Sequence, residues 1–370
     1  MVEIHEVRTR RDFAAFMKFQ YDLYRRDPLW VPYLKSEVKY LFGPKNPFWL
    51  HAERALFVAR NGRDVVGRIA AIVDRELVKF RGRPEGVFGF YESVDDPAVA
   101  AALYGAAESW LRGQGMRSVR GPMNPSTNEE CGFLLDGFDT PPYIMMTHTP
   151  RYYLGLAEGC GYRKGTDLLA FMMQITPAVL ERLMRVADGV RRRVEGLEVR
   201  SADIKKFAAE VELVRKIYNR AWENNWGFVP ATTEEFDDVA KRLKSLVVPE
   251  LVWVITIGGD PAGFIMGLPN YNEVLKKMGG SMNPISLIKF MTGKKKIRGV
   301  RLMLFGVCPE YRHRGLDAIL MGESLNAALN LGFKESEFSW VLEGNAMTNR
   351  AAEFMGGEVY KKYRIYEKEL

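Results

Sequence analysis

The sequence predicts an α+β fold built from two tandem copies, each a twisted mixed sheet flanked by helices. Three observations carry this. The chain has 370 residues, more than one hydrophobic core usually organises. A hairpin signal occurs twice, at Asn61-Gly62 and at Gly258-Gly259, and the elements around the two follow the same order, which reads as an internal duplication. The apolar run Leu302–Val307 has the length of a buried strand, and the stripe Leu316, Ile319, Leu320, Ala327, Leu331 that follows has helical spacing. The expected boundaries are 1–174 for the first copy, 175–196 for a linking helix and 197–370 for the second copy.

The elements then follow in order. Val2–Val7 reads as a first strand, and Phe13, Phe16, Phe19, Leu23 and Tyr24 form the core stripe of the first helix. Pro28, Pro32, Pro44 and Pro47 break up an arm rich in aromatics, with Trp30, Tyr33, Phe42, Phe48 and Trp49. Ala55–Asp74 is a hairpin turning at Asn61-Gly62. Gly86–Tyr91 is a further strand, and a helix over Ala98–Leu111 starts with Asp96 as N-cap and Pro97 at its first position. Between Ser118 and Tyr143 runs a long polar loop. Its Asn124, Ser126, Asn128, Glu129 and Asp139 place many hydrogen-bonding groups together, which marks them as candidate substrate contacts. Tyr152–Leu156 with Gly159-Cys160-Gly161 is a last helix and its glycine stop, and Leu168–Met173 a final strand.

Thr176–Val194 is a charged amphipathic helix. The second copy opens at Leu197–Arg200 and continues with a helix through Phe207, Val211, Val214, Ile217, Tyr218 and Trp222. Trp226 sits in the loop after it and is a candidate substrate contact. A second hairpin spans Leu251–Gly267. Asn270–Gly299, rich in Met and Lys, is an insertion that reads as a mobile flap. Glu337–Val341 is another strand, and Asn345 opens the last helix.

The formal net charge is +7, but acidic residues are interspersed with the basic ones. The sharpest cluster, Lys294-Lys295-Lys296-Ile297-Arg298, reads first as a solvated loop, with proximity to a nucleotide 3′-phosphate as the alternative; nucleic-acid binding ranks last. The longest apolar stretch, Leu246–Ile257, is interrupted by Pro249 and Glu250 and is too short to span a bilayer, so no membrane partner is expected. The N-terminus has no apolar signal region. Cys131, Cys160 and Cys308 are isolated, which suits reduced thiols in a cytoplasmic protein. His5, His51, His148 and His313 lack ligand spacing, and no metal is expected.

Arg312-His313-Arg314-Gly315, between the apolar strand and its helix, makes an anion site. The first amides of a helix have no internal partners and the helix dipole adds positive potential. Val307-x-Pro309-x-Tyr311-Arg312-x-x-Gly315 resembles the acyl-CoA motif of the GCN5-related N-acetyltransferase (GNAT) superfamily. The resemblance implies acetyl-CoA or another acyl-CoA as cofactor, held by Phe305, Val307, Arg312, His313, Arg314, Gly315, Leu316 and Asp317, with Asn345 and Asn349 ahead of the last helix. It implies a backbone contact to the oxyanion at Gly306 or Val307. Asp317 departs from the motif, which has Gly or Ala there. The first copy, with its capped and acidic turn, reads as a degenerate copy. Glu343 is the best local candidate for a base. The place of the family's proton-donating tyrosine falls on Ala352, with Tyr360, Tyr363 and Tyr366 in a strand beyond. No Ser-His-Asp or Cys-His set is legible, which argues against a hydrolase. The expected activity is transfer of an acyl group, acetyl in the first instance, to an amine of a small molecule or peptide. The alternative is a binding protein that keeps the tandem fold without turnover.

Overall fold

The computed structural model describes residues 2–223 and 225–370. They form two compact units. The first comprises the chain up to Leu168 with Met278–Met282 and Lys361–Leu370; the second comprises Leu169–Lys277 and Asn283–Tyr360.

In the first unit the order is β1 (Val2–Glu6), α1 (Arg10–Leu23), α2 (Lys35–Leu41), β2 (Ala52–Asn61), β3 (Asp64–Asp74), α3 (Arg75–Arg81), β4 (Glu85–Ser93), α4 (Pro97–Gly113), β5 (Ser118–Gly121), the short β6 (Met123–Asn124) and β7 (Glu130–Cys131), β8 (Phe133–Asp136), α5 (Tyr152–Gly159) and the start of β9 (Arg163–Gln174). Local chemistry sets several boundaries. Thr9 and Asp12 form a reciprocal capping box at the start of α1. Gly62 takes φ +59° in the turn where Asn61 pairs with Asp64, a conformation open to glycine at no steric cost. The sheet runs β1-β2-β3-β4-β5, and Lys361–Leu370 adds the next strand, with Tyr366 opposite Gly121. Leu103, Tyr104, Ala107 and Leu111 of α4 join Ile69, Ala71, Val73 and Phe88 in the core of this unit.

The second unit continues with α6 (Pro177–Arg191), β10 (Leu197–Ser201), α7 (Phe207–Trp222), α8 (Thr233–Leu243), β11 (Val252–Ile257), β12 (Asp260–Pro269), α9 (Asn272–Met278), α10 (Pro284–Gly293), β13 (Gly299–Val307), α11 (Leu316–Asn330), β14 (Glu335–Leu342), α12 (Ala346–Phe354) and β15 (Glu358–Glu369), whose residues from Lys361 on belong to the first unit. The sheet order is β10-β11-β12-β13-β14, antiparallel except for the parallel pair β13–β14. The expected flap forms the helices α9 and α10. The expected linking helix, α6, packs along α11: Met184 Sδ would lie 3.1 Å from a Cβ on Gly322, and Arg191 pairs with Glu323.

Candidate active site

The site begins where two parallel strands part. β13 and β14 pair over Gly299–Leu302 and Glu335–Phe338, and no further. At that point β13 bulges: Gly267 faces Leu302 and Met266 faces Leu304, leaving Met303 over. A bulge bends a strand and ends its pairing on one side. Gly299–Leu302 are buried, whereas Met303–Phe305 are half-buried. One edge of β13 is therefore open beyond Leu302.

Strand alternation decides which amides face that edge. Cys308 N–H donates to Ala262 O at 2.8 Å, toward β12. The carbonyl of Gly306 also faces β12, 3.0 Å from a Cβ position on Gly263. Backbone groups point to alternate sides along a strand. The amide of Gly306 thus faces β12, and those of Phe305 and Val307 face the gap. The expected oxyanion contact at Gly306 is corrected on this ground. Gly306 serves packing: a Cβ there would sit 2.4 Å from the ring of Trp222 and 2.9 Å from Cβ of Ala221.

Beyond β13 the chain makes a tight turn at Pro309–Tyr311 and enters α11. Arg312 does not project toward a ligand. Its guanidinium donates to the carbonyls of Ala221 (2.7 Å) and Val307 (3.3 Å), tying the turn to α7 and β13. Its side chain, one of the expected cofactor contacts, positions the turn. His313 and Arg314 are exposed, with Arg314 over the ring of Tyr311 at 5.3 Å. Gly315 is the N-cap of α11, with φ +80° and no side-chain cap. Asp317, half-buried in the first turn, does not cap it. Leu316 is buried and anchors the helix.

The corresponding place in the first unit is filled. There β4 and β5 pair only over Glu85–Val87 and Ser118–Arg120. The gap beyond is closed by β6: Asn124 Oδ1 accepts from Phe90 N–H at 2.6 Å, and a Cβ on Gly89 would lie 1.8 Å from Met123 O. Asp96 Oδ1 caps α4 through Ala98 N–H at 2.8 Å. Asn124 is thereby removed from the substrate contacts, since its carbonyl is used inside the fold. Asn124→Ala strands the Phe90 amide and is expected to cost about 1–3 kcal/mol, read as a lowered Tm.

The other expected residues are dispersed. Ser126 Oγ accepts from Asn128 N–H at 3.2 Å, and Glu129 N–H donates to Ser126 O at 3.2 Å, so these three build their own turn. Asp139 is exposed on the next loop, and Trp226 is half-buried in the second unit. Glu343 is exposed just past β14. Asn345 caps α12 through Thr348 N–H at 3.2 Å, and Asn349 Nδ2 donates to the carbonyls of Leu342 (3.3 Å) and Glu343 (3.0 Å). Both asparagines hold the β14–α12 loop, which corrects their expected contact with the cofactor. Ala352 is fully buried.

Two buried polar networks escaped the sequence reading. At the foot of the β13–β14 gap, Arg301 Nε donates to Ser339 Oγ at 2.9 Å and lies 3.7 Å from the Glu337 carboxylate, which also accepts from Ser339 and Tyr360 hydroxyls. In the first unit, Glu92 accepts from Gln20 (2.9 Å), Tyr24 (2.8 Å) and Tyr153 (2.7 Å), with Arg68 at 3.7 Å. Burial pushes the Glu92 carboxyl up and Arg68 down, each partly offset by the other. The available signal was a charged residue inside an apolar strand, as at Arg301 and Arg68. A cavity of about 610 Å³ lined by Arg191, Gly196, Glu198, Trp253 and Glu323 contains none of the expected site residues.

No family model matches the chain. Protein YghO of Escherichia coli (strain K12) is 38% identical over 98% of this chain and 94% of its own length. The bacterial ceramide synthase of Caulobacter vibrioides is 40% identical over 98% of this chain and 96% of its own. Among solved structures, a tandem GNAT protein from the clavulanic acid biosynthesis pathway aligns with TM-score 0.58 and 13% identity, covering 100% of this chain and 98% of that one. At that identity it speaks for the fold alone.

Proposed function

The chain belongs to one family with Protein YghO and the bacterial ceramide synthase, and from that premise, with a fold like that of a tandem GNAT protein, we propose that its second unit binds an acyl-CoA and passes the acyl group to an amine. The observation that carries the reading is the uncapped start of α11 at Gly315, directly after the open edge of β13. The amides ahead of Ala318, whose own N–H turns back to Gly315 O at 3.1 Å, and the helix dipole suit a diphosphate, with His313 and Arg314 exposed beside them. Asp317 offers a carboxylate nearby, so the diphosphate lies on the Gly315 side of the turn. The free amides of Phe305 and Val307 can take the extended amide arm of CoA as an added strand, and one of them meets the negative charge that develops on the thioester oxygen.

The amine nitrogen attacks the thioester carbon; a C–N bond forms, the C–S bond breaks, and CoA leaves with the proton the amine gives up. Ala352 offers no acid for the thiolate. None is required near neutral pH, because a thiol with pKa about 8.5 is a competent leaving group. Exposed Glu343, just past β14, is the candidate for taking the amine proton, through water.

The 40% identity with a protein named ceramide synthase supports a narrower acceptor. A ceramide is the fatty amide of a long-chain amino alcohol. The acceptor class is then a long-chain 2-amino-1,3-diol and the donor a fatty acyl-CoA, wider than the acetyl group first expected. Titration calorimetry with acetyl-CoA and dodecanoyl-CoA tests the first step, and thiol release in the presence of the amino diol tests the second. Binding of the longer thioester and amine-dependent thiol release are expected. No binding at millimolar thioester removes the whole reading. Binding without thiol release would favour the non-catalytic alternative, to which Ala352 lends support.

A further inference from the structure

Most helices of this chain bury one face; α10 scarcely does. Ile285, Leu287, Ile288 and Met291 are 66%, 47%, 62% and 58% exposed. They recur three and four positions apart and so share one side of the helix. The opposite side is small and anchored: Ser286 is buried, Phe290 stacks on Tyr271 with ring centroids 5.6 Å apart, and a Cβ on Gly293 would meet Val274 at 2.9 Å. The apolar side is therefore displayed by a helix that is itself held in place. Large contiguous apolar patches are rare on proteins that stay monomeric in water and mark an interaction surface.

The flanks say what covers it. Lys294–Lys296 form an exposed basic turn directly after the helix, and Lys289 within it and Lys276 and Lys277 of α9 are exposed too. We propose that α10 is an interfacial anchor that seats its isoleucine face in the surface of an anionic lipid bilayer, with the lysines on the headgroups. The pairing of an apolar face with a basic flank is what such a surface recognises. A second copy of this chain fits poorly, because joining two such faces brings the lysine clusters together. No helix among the described residues is long and apolar enough to cross a membrane, so α10 lies on the bilayer. This goes beyond the expectation of no membrane partner, and it does not rest on the transferase reading.

The test is cosedimentation of the full chain with vesicles of phosphatidylglycerol and phosphatidylcholine, against phosphatidylcholine alone, at low and high salt. Binding to the anionic vesicles that weakens with salt is expected. Ile285→Glu/Ile288→Glu and Lys294→Glu/Lys295→Glu/Lys296→Glu should each weaken it at least tenfold, while Ile285→Leu/Ile288→Leu retains it. All these positions are exposed, and unchanged melting curves would show that the variants fold. Absence of binding to anionic vesicles, or binding that the double glutamate variant leaves intact, overturns the proposal. So does a wild-type dimer in sedimentation equilibrium that the double glutamate variant converts to monomer.

Discussion

Arg301→Met should lower the stability of the second unit by about 3–5 kcal/mol, the usual cost of removing one partner from a buried ion pair. Arg301 is 4% exposed and Glu337 0%. The guanidinium donates to Ser339 twice, through Nε at 2.9 Å to the hydroxyl and through Nη2 at 3.3 Å to the carbonyl. Its removal takes away a cation 3.7 Å from the Glu337 carboxylate, in surroundings where an uncompensated charge is expensive. The loss should appear as a fall in Tm, at about 2–4 °C per kcal/mol for a unit of this size. Arg301→Met/Glu337→Met should be more stable than Arg301→Met alone, since the orphaned charge goes with its partner. A single variant costing under about 1 kcal/mol would mean that Tyr360 and Ser339 satisfy Glu337 without the arginine. The same measurement bears on function, because Arg301 and Glu337 face each other in the last-but-one pair before β13 and β14 separate. A loosened foot would let the gap close or widen. Thioester affinity should then fall even at temperatures where the variant remains folded.

What the sequence could show follows from how local each feature is. The hairpin at Asn61-Gly62 and the Asp96 cap are settled within a few residues, and the structure has each where expected. The strand–turn–helix around Gly315 is equally local. The contacts that decide chemistry are not. Phe90 takes its hydrogen-bond acceptor from Asn124, 34 positions away, and Arg312 reaches the carbonyl of Ala221 across 91 positions. No motif tells whether a basic side chain points to ligand or back to its own fold. The choice between Gly306 and Val307 depends on the phase of the pleat after the bulge at Met303, which is set by pairing with β12. Lys361–Leu370 lies within the expected second copy, 197–370, yet belongs to the first unit. Strand pairing is a tertiary choice to which order along the chain gives only a preference.

Gly315→Ala should weaken acyl-CoA binding at least tenfold and destabilise the second unit by about 2–5 kcal/mol. Two separate costs make up the second figure. An L-residue at φ +80° pays about 1–2 kcal/mol for the left-handed conformation. Its Cβ would also stand 2.6 Å from Cγ2 of Val190 on α6, and overpacking of that kind costs about 1–3 kcal/mol. Val190 is 3% exposed and β-branched, so it cannot swing aside; the turn moves instead, and its amides move with it. A double-mutant cycle separates the two costs. Val190→Ala removes the obstacle but leaves φ unchanged, so Gly315→Ala/Val190→Ala should show a favourable coupling of about 1–3 kcal/mol. It should also regain most of the thioester affinity that Gly315→Ala loses. Regained stability without regained affinity would mean that the φ of this residue, not the packing of α6, aims the amides. A Gly315→Ala variant that binds acyl-CoA like the wild type would place the diphosphate elsewhere and remove the premise of the transferase reading. The cycle therefore tests α6 as more than a link between copies: the helix that joins them also presses on the turn where the substrate is to be held.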